Sequence, residues 1–203
     1  MASFTDLTGL AGIALALAAA CRVLLWRTSL EGRAAVAVAG LVFVLLLLPF
    51  GELPLAAYVR GMTGDLSITT LVLIAYAVVW RTVLPKQSVG RPTGELLLLV
   101  AVAAGVLYPL ALGAASYDSY RWGYGEPLFL GVLLMIALAS AALRVPLVTL
   151  SISLAVLAWS VGWYESGNLW DYLIDPLLAV YSVFALLLMN FAYGHVKPSA
   201  GGK

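Results

Sequence analysis

Charged residues are scarce in this sequence and make up only 10% of its 203 positions. Soluble domains carry roughly 25% charged residues, whereas 63% of this chain is apolar. This balance excludes a soluble globular protein, and we expect an all-α integral membrane protein.

Cysteine and histidine are scarce as well, with only Cys21 and His195 in the whole chain. One cysteine excludes an intramolecular disulfide, and the two residues together cannot form a Cys/His zinc site or a bis-histidine haem site. The formal net charge of +1 leaves no basic excess for nucleic acid. We therefore expect no metal site, no cofactor and no nucleic-acid partner.

Apolar runs divide the chain into seven segments, each close to the 20 or so residues that a membrane-spanning helix needs. We predict a compact bundle of seven transmembrane helices within a single polytopic membrane domain, 1–203. The predicted spans are 6–26, 34–50, 66–83, 95–115, 128–143, 146–163 and 177–194.

The apolar run over 128–163 is nearly continuous, since only Arg144 and Pro146 interrupt it. A single helix of this length would measure about 54 Å, far more than the roughly 30 Å of a bilayer core. Proline ends one helix and suits the first turn of the next. We therefore predict a tight hairpin at 143–146.

The positions of the cations predict the orientation of these helices, because Lys and Arg concentrate on the cytoplasmic side. With the N-terminus outside and the C-terminus inside, nine of the eleven cations lie inside, and only Arg60 and Arg121 lie outside. We expect 195–203 to form a flexible cytoplasmic tail. The Ala- and Leu-rich composition and the short loops favour a bacterial inner membrane.

Eight of the ten acids fall on the outer side in this arrangement. Four of them precede inward-running helices, where a carboxylate can accept unpaired amide protons and meet the positive end of the helix dipole. We interpret these four as structural helix starts: Asp6, Asp65, Glu126 and Asp175. Glu31 and Glu95 have the same interpretation on the inner side.

The remaining outer charges lie among aromatic residues in three loops, 51–65, 116–127 and 164–176. Aromatic rings also form ordinary belts at membrane interfaces, but the inner rim of this protein carries fewer of them. We therefore predict a binding face on the outer side. Its candidate residues are Glu52, Tyr58, Arg60, Asp118, Tyr120, Arg121, Trp122, Glu165, Trp170 and Asp171.

The centres of the predicted spans carry no charged residue. Buried ionisable residues usually mark ion paths and proton relays, so their absence argues against a proton-coupled carrier. Pro109 interrupts the fourth span, where it is interpreted either as a packing kink or as a hinge beside the outer face.

Three hypotheses about function remain. The first is a non-catalytic membrane subunit whose acidic, aromatic outer face binds membrane lipid, a lipid-linked saccharide, or another membrane or periplasmic protein during envelope assembly. The second is an outer-leaflet enzyme that acts on lipids or glycans through carboxylates such as Glu165 and Asp171, but no known catalytic motif identifies catalytic residues. The third is a transporter or flippase for an uncharged or lipidic solute.

Overall fold

A computed structural model describes residues 4–25, 33–83, 92–114 and 116–194, and this part of the chain is mostly helical. The predicted tail 195–203 lies outside the described residues. So do one predicted inner helix-start acid and several predicted inner cations: Glu31, Arg27, Lys86 and Arg91.

Seven longer helices form the body of the described part of the chain. Short elements occupy the connections between them: a β-hairpin (β1 Pro49–Phe50, β2 Leu53–Pro54), α3 (Leu55–Thr63), a 3₁₀ helix (Ser119–Tyr124) and α8 (Leu169–Leu173). The longer helices are α1 (Phe4–Leu25), α2 (Arg33–Leu47), α4 (Ile68–Val83), α5 (Pro92–Ala111), α6 (Pro127–Ala142), α7 (Pro146–Ser160) and α9 (Pro176–Gly194).

Each of the seven predicted segments is occupied by one of these longer helices. The near-continuous run over 128–163 is divided into α6 and α7, with Leu143 at the C-cap of α6 and Pro146 in the first turn of α7. Arg144 between them has a φ of 58°, a left-handed conformation that lets the chain reverse. Proline at the start of α7 costs no hydrogen bond, because the first amides of a helix have no partner within it.

Two of the helices, α1 and α5, are long and apolar enough to cross a membrane by length and composition. Their spanning stretches are Thr5–Arg22 and Thr93–Ala111. The apolar stretches of α2, α4, α6, α7 and α9 are shorter, between 10 and 17 residues. Pro109 lies inside α5, two residues before its end.

Helix α7 is central to the packing, since it contacts α4, α5, α6 and α8. Most of the described helices share one large core, which includes Leu96, Ile152 and Leu169. A smaller core around Ile13 and Ala56 joins α1, α2 and α3. Leu71 on α4 packs against both cores, so α4 connects the N-terminal helices to the rest of the bundle.

The N-terminal end of α1 meets three loops at one end of the bundle, and we call this the loop end. It comprises 4–9, 48–67, 116–126 and 161–175. Contacts across it include Tyr164 Oη to the Leu66 carbonyl at 2.8 Å, Asn168 Nδ2 to the Tyr120 carbonyl at 2.9 Å, and Thr8 Oγ1 to the Trp163 carbonyl. Arg144 lies in the α6–α7 turn at the opposite end.

Candidate functional site

Arg60 organises one part of the loop end. Its guanidinium contacts Asp65 through Nε at 2.6 Å and Nη2 at 3.0 Å, a bidentate pair that holds both side chains in one geometry. Nη1 lies 3.1 Å from Asp6 Oδ1 on α1, and Nη2 lies 4.0 Å from Glu165. Arg60 therefore links α1, α3 and the loop before α8.

The local chain conformation explains this pairing. Arg60 lies in the last turn of α3, which ends at Gly64 with a φ of 73°. Glycine adopts this conformation without strain. The chain therefore turns back, and Asp65 comes into contact with the Arg60 side chain. Hydrogen bonding to Asp65 is the largest cause that raises the pKa of Arg60, although burial opposes it.

Asp175 is the most enclosed acid of the loop end, at 4% exposure. Its Oδ2 accepts hydrogen bonds from the Ser67 amide at 2.9 Å, the Ser67 hydroxyl at 2.7 Å and the Thr70 hydroxyl at 2.5 Å. Its Oδ1 accepts the Leu178 amide at 2.8 Å. Asp175 therefore caps α9 and also joins α9 to the start of α4.

The other predicted helix starts differ from Asp175. Ser67, and not Asp65, accepts the Thr70 amide in the first turn of α4, at 3.2 Å. Glu126 occupies the position before α6 without a side-chain capping bond among the described residues. Asp6 lies in the first turn of α1, and its carboxylate pairs with Arg60.

Asp171 forms a second polar centre at the first turn of α8. Its carboxylate accepts hydrogen bonds from Tyr120 Oη at 2.8 Å and from Ser166 Oγ at 2.5 Å. The buried Asn168 side chain caps α8 by accepting the Trp170 amide at 2.9 Å. These bonds bring the 3₁₀ helix, the loop before α8 and α8 itself together.

Two further tyrosines line the same region. Tyr172 Oη donates to the Ser166 carbonyl at 3.0 Å, and its ring lies 5.1 Å from that of Tyr164. Burial is the largest cause that raises the pKa of Tyr120, Tyr164 and Tyr172, and the hydrogen bond to Asp171 adds to it for Tyr120. All three hydroxyls therefore remain protonated at neutral pH and act as hydrogen-bond donors.

A polar cavity of about 260 Å³ lies between these groups. Carboxylates, hydroxyls and backbone of the loop end form its walls: Thr63, Gly64, Asp65, Tyr164, Ser166, Asp171, Ile174, Asp175 and Pro176. We call this cavity the polar pocket. Three aspartates around one cavity disfavour an anionic ligand and favour one that donates hydrogen bonds.

An apolar groove of about 480 Å³ adjoins the polar pocket and shares Thr63 with it. Side chains of α1, α3, α4 and α9 line this groove, among them Ile13, Leu73 and Leu177. The polar pocket beside this apolar groove matches the head group and the hydrocarbon tail of an amphipathic molecule.

The predicted binding residues divide into two groups. Arg60, Tyr120, Glu165, Trp170 and Asp171 belong to the connected network at the loop end, where Trp170 donates to the Ser119 carbonyl at 3.1 Å. Of these five residues, only Asp171 lines the polar pocket. The second group does not line the pocket either. It contains the exposed residues Glu52, Tyr58 and Arg121. It also contains Asp118, which caps the 3₁₀ helix by accepting the Tyr120 amide. Its last member is Trp122, which packs on Tyr117 and Phe129.

Several important residues of the site were not predicted. Ser67, Thr70, Ser166 and Asn168 supply much of the polar network, and their spacing carries a recognisable signal. Ser67 and Thr70 are three residues apart before an apolar run, and so are Asn168 and Asp171, a pattern typical of helix N-termini. The prediction rests on the charged residues of the outer loops and does not include these uncharged side chains.

The described residues contain no group of three His, Cys, Asp or Glu side chains placed to hold a metal ion. The carboxylates of the polar pocket are instead bound by Arg60 and by hydroxyl and amide donors of the protein. No family model, curated protein sequence or solved structure matches the chain.

Proposed function

We propose that the protein is a seven-span membrane protein that binds a lipid with a hydroxyl-rich saccharide head group at its loop end. The observation that carries this proposal is the polar pocket beside the apolar groove, with Thr63 common to both. In this proposal the protein lies in a bacterial inner membrane with the loop end outside, where it takes part in envelope assembly.

Exposed apolar side chains support the membrane placement. Leu128, Met135 and Leu188 are each more than half exposed on the long helices, and a helix that is apolar on all sides is stable within a membrane or a large protein core. The described cations of α1 and of the α6–α7 turn, Arg22 and Arg144, lie away from the loop end. This distribution agrees with the positive-inside rule.

The electrostatics of the polar pocket favour a sugar head group. Asp65 and Asp171 line the pocket, and each keeps acceptor sites beyond those taken by its protein donors. Asp175 adds negative charge, but protein donors already fill its oxygens. A saccharide donates through its hydroxyls without bringing negative charge, whereas a phosphate in the same place would face three carboxylates at close range. The hydrocarbon tail would occupy the groove between α1 and α9.

Native mass spectrometry of the purified protein tests this proposal. After incubation with phosphatidylglycerol vesicles that contain a glucosyl diacylglycerol, we expect retention of the glycolipid. Asp171→Asn, which places an amide against the Tyr120 and Ser166 donors, should weaken retention about tenfold, the loss expected for roughly one charged hydrogen bond. Glu52→Gln, an exposed acid outside the pocket, should leave retention unchanged.

A second pair of variants tests the groove. Ala16→Phe fills it from α1, whereas Ala20→Phe adds the same ring at an exposed position of the same helix. We expect loss of glycolipid retention only with Ala16→Phe. Equal retention by both variants would contradict the groove as the tail site. Preferred retention of phosphatidylethanolamine over the glycolipid would contradict a saccharide head group, and co-purification of a protein with no lipid would contradict lipid binding.

A further inference from the structure

A second apolar cleft lies on the side of α4 away from the apolar groove, and it is lined by residues of α5, α6 and α7. Its volume is about 240 Å³, much more than the roughly 30 Å³ that one water molecule occupies in the liquid. Near the loop end it is bounded by Trp122, Phe129 and Trp170, and along α6 it extends from Leu128 to Ile136. At 1.5 Å per residue this stretch measures about 12 Å.

Ser151 on α7 lines this cleft and is the unusual residue in it. The side chain is 1% exposed, and its hydroxyl has no hydrogen-bond partner among the described residues. A buried hydroxyl without a partner is costly, and native proteins rarely leave one in that state.

Other serine hydroxyls on the helices of this protein have a hydrogen-bond partner within their own helix. Ser140, Ser160 and Ser182 each donate to a carbonyl one turn earlier in the same helix, at 2.9, 2.7 and 2.7 Å. This back-bonding is the usual way in which serine is accommodated in an apolar helix. Ser151 is also helical but makes no such bond, so its hydroxyl is available to a molecule in the cleft.

We propose that this cleft binds an uncharged, lipid-soluble molecule whose hydroxyl or carbonyl oxygen pairs with Ser151. The rest of the lining is apolar except for Thr69 and for Glu126 near the loop end, and it offers no cation to a charged head group. The aromatic group at the loop end suits a flat or extended hydrocarbon. The cleft shares only Ile174 with the polar pocket, and it takes a different class of ligand.

Photoaffinity labelling tests this inference with two probes of equal length, a diazirine-bearing dodecanol and a diazirine-bearing dodecane. The purified protein in detergent is irradiated with each probe, and the labelled peptides are identified by mass spectrometry. We expect label on the helices around the cleft and a preference for the alcohol of roughly fivefold, which corresponds to about 1 kcal/mol for one net hydrogen bond.

Matched variants assign the preference to Ser151. Ser151→Ala should label equally with both probes, whereas Ser153→Ala, an exposed serine two residues further on, should keep the preference for the alcohol. Ala103→Phe, which fills the cleft from α5, should abolish cleft labelling by both probes. Val102→Phe, at an exposed neighbouring position, should not.

Three results would overturn the inference. They are the absence of label from α5, α6 and α7, equal labelling of the wild-type cleft by both probes, and an unchanged alcohol preference in Ser151→Ala. Asp171→Asn should leave cleft labelling unaltered, so this inference and the proposed glycolipid site can fail independently. A thermal melt of each variant identifies any loss of labelling that comes from unfolding.

Discussion

At the scale of single residues, Asp175 shows how one carboxylate can hold two helices. It accepts four hydrogen bonds, three from the start of α4 and one from the first turn of α9, and it is almost fully buried. A cap that also links distant parts of the chain contributes to tertiary stability as well as to its own helix. Glu126, which resembles it in sequence position, lacks a capping bond in the described structure.

This contrast gives a direct prediction. Asp175→Asn replaces one acceptor oxygen with an amide that must face at least one donor, so we expect a loss of about 1–3 kcal/mol in the free energy of unfolding. Glu126→Gln should change it by less than about 0.5 kcal/mol. Thermal unfolding in detergent, followed by circular dichroism, measures both. Equal effects of the two variants would contradict the structural role of Asp175.

Gly9 gives a second prediction at this scale. A Cβ atom built on Gly9 would lie 2.6 Å from Arg60 Nε, and it would also collide with Asp65. Gly9→Ala therefore has to displace the bidentate ion pair, and we expect a stability loss of about 1–3 kcal/mol, as for other overpacked sites.

Gly12 is the matched control for Gly9, one turn further along α1. Its built Cβ would lie 3.6 Å from the nearest side-chain atom, Leu71 Cδ1, which is an ordinary contact. Gly12→Ala should therefore be neutral or slightly stabilising, because alanine favours helix more than glycine does. A similar loss of melting temperature in both variants would show that the Arg60–Asp65 pair is not the cause.

At the scale of elements, the turn between α6 and α7 contains the only left-handed residue other than glycine in the described chain, Arg144. Such a conformation costs roughly 1–2 kcal/mol for an ordinary residue. We expect Arg144→Gly to raise the free energy of unfolding by about 0.5–1 kcal/mol, because the strain that it relieves exceeds the stability lost through the entropy of glycine in the unfolded chain.

Leu143 in the same turn supplies the control for Arg144. It has a φ of −81°, which suits any residue, so Leu143→Gly should lower stability by several tenths of a kcal/mol. The two variants are compared by thermal unfolding in the same detergent. If both substitutions lowered the melting temperature, strain at Arg144 would not be a significant term.

The long helices were easier to predict than the short ones, for a physical reason. Charged residues or prolines, such as Arg144 and Pro146, bound a run of apolar residues. The length of that run then indicates the length of the helix. The short helices α3 and α8 are too short to be stable alone, and they depend on contacts with distant segments. Trp170, for example, bonds to Ser119, 51 residues earlier in the chain.

The site was predictable only in part, for a related reason. The distribution of charge indicated which residues share one end of the bundle, where Tyr120 bonds to Asp171 and Arg60 pairs with Asp65. It could not indicate pairings across that end, and Asp118, one of the predicted binding residues, also caps a 3₁₀ helix. Partners such as Ser166 carry no charge and do not stand out in a loop.

At the scale of the whole molecule, the seven-span proposal makes a prediction about which side of the membrane each end faces. In a Cys21→Ser background, Ser116→Cys at the loop end should react with a membrane-impermeant maleimide in intact cells with the outer membrane opened. Leu143→Cys, exposed at the opposite end, should react only after the inner membrane is permeabilised. This substitution keeps Arg144 and therefore preserves the charge bias that sets orientation.

The labelling pattern separates the possible arrangements clearly. Reaction of both cysteines in intact cells would contradict placement of the two ends on opposite sides of a membrane. Reaction of Leu143→Cys alone would mean that the orientation is inverted. Labelling of purified protein in detergent, where both sites are open, is the control for intrinsic reactivity.

The aromatic group at the mouth of the cleft has a practical optical consequence. The Trp170 side chain is held by its hydrogen bond to the Ser119 carbonyl. The centre of its ring lies 4.5 Å from that of Phe129, and the Phe129 ring centre lies 6.4 Å from that of Trp122. Rings fixed in an asymmetric setting give near-ultraviolet circular dichroism that vanishes when tertiary packing loosens. The protein thus carries an intrinsic spectroscopic reporter beside the cleft, and its signal should respond to an occupant without any added dye.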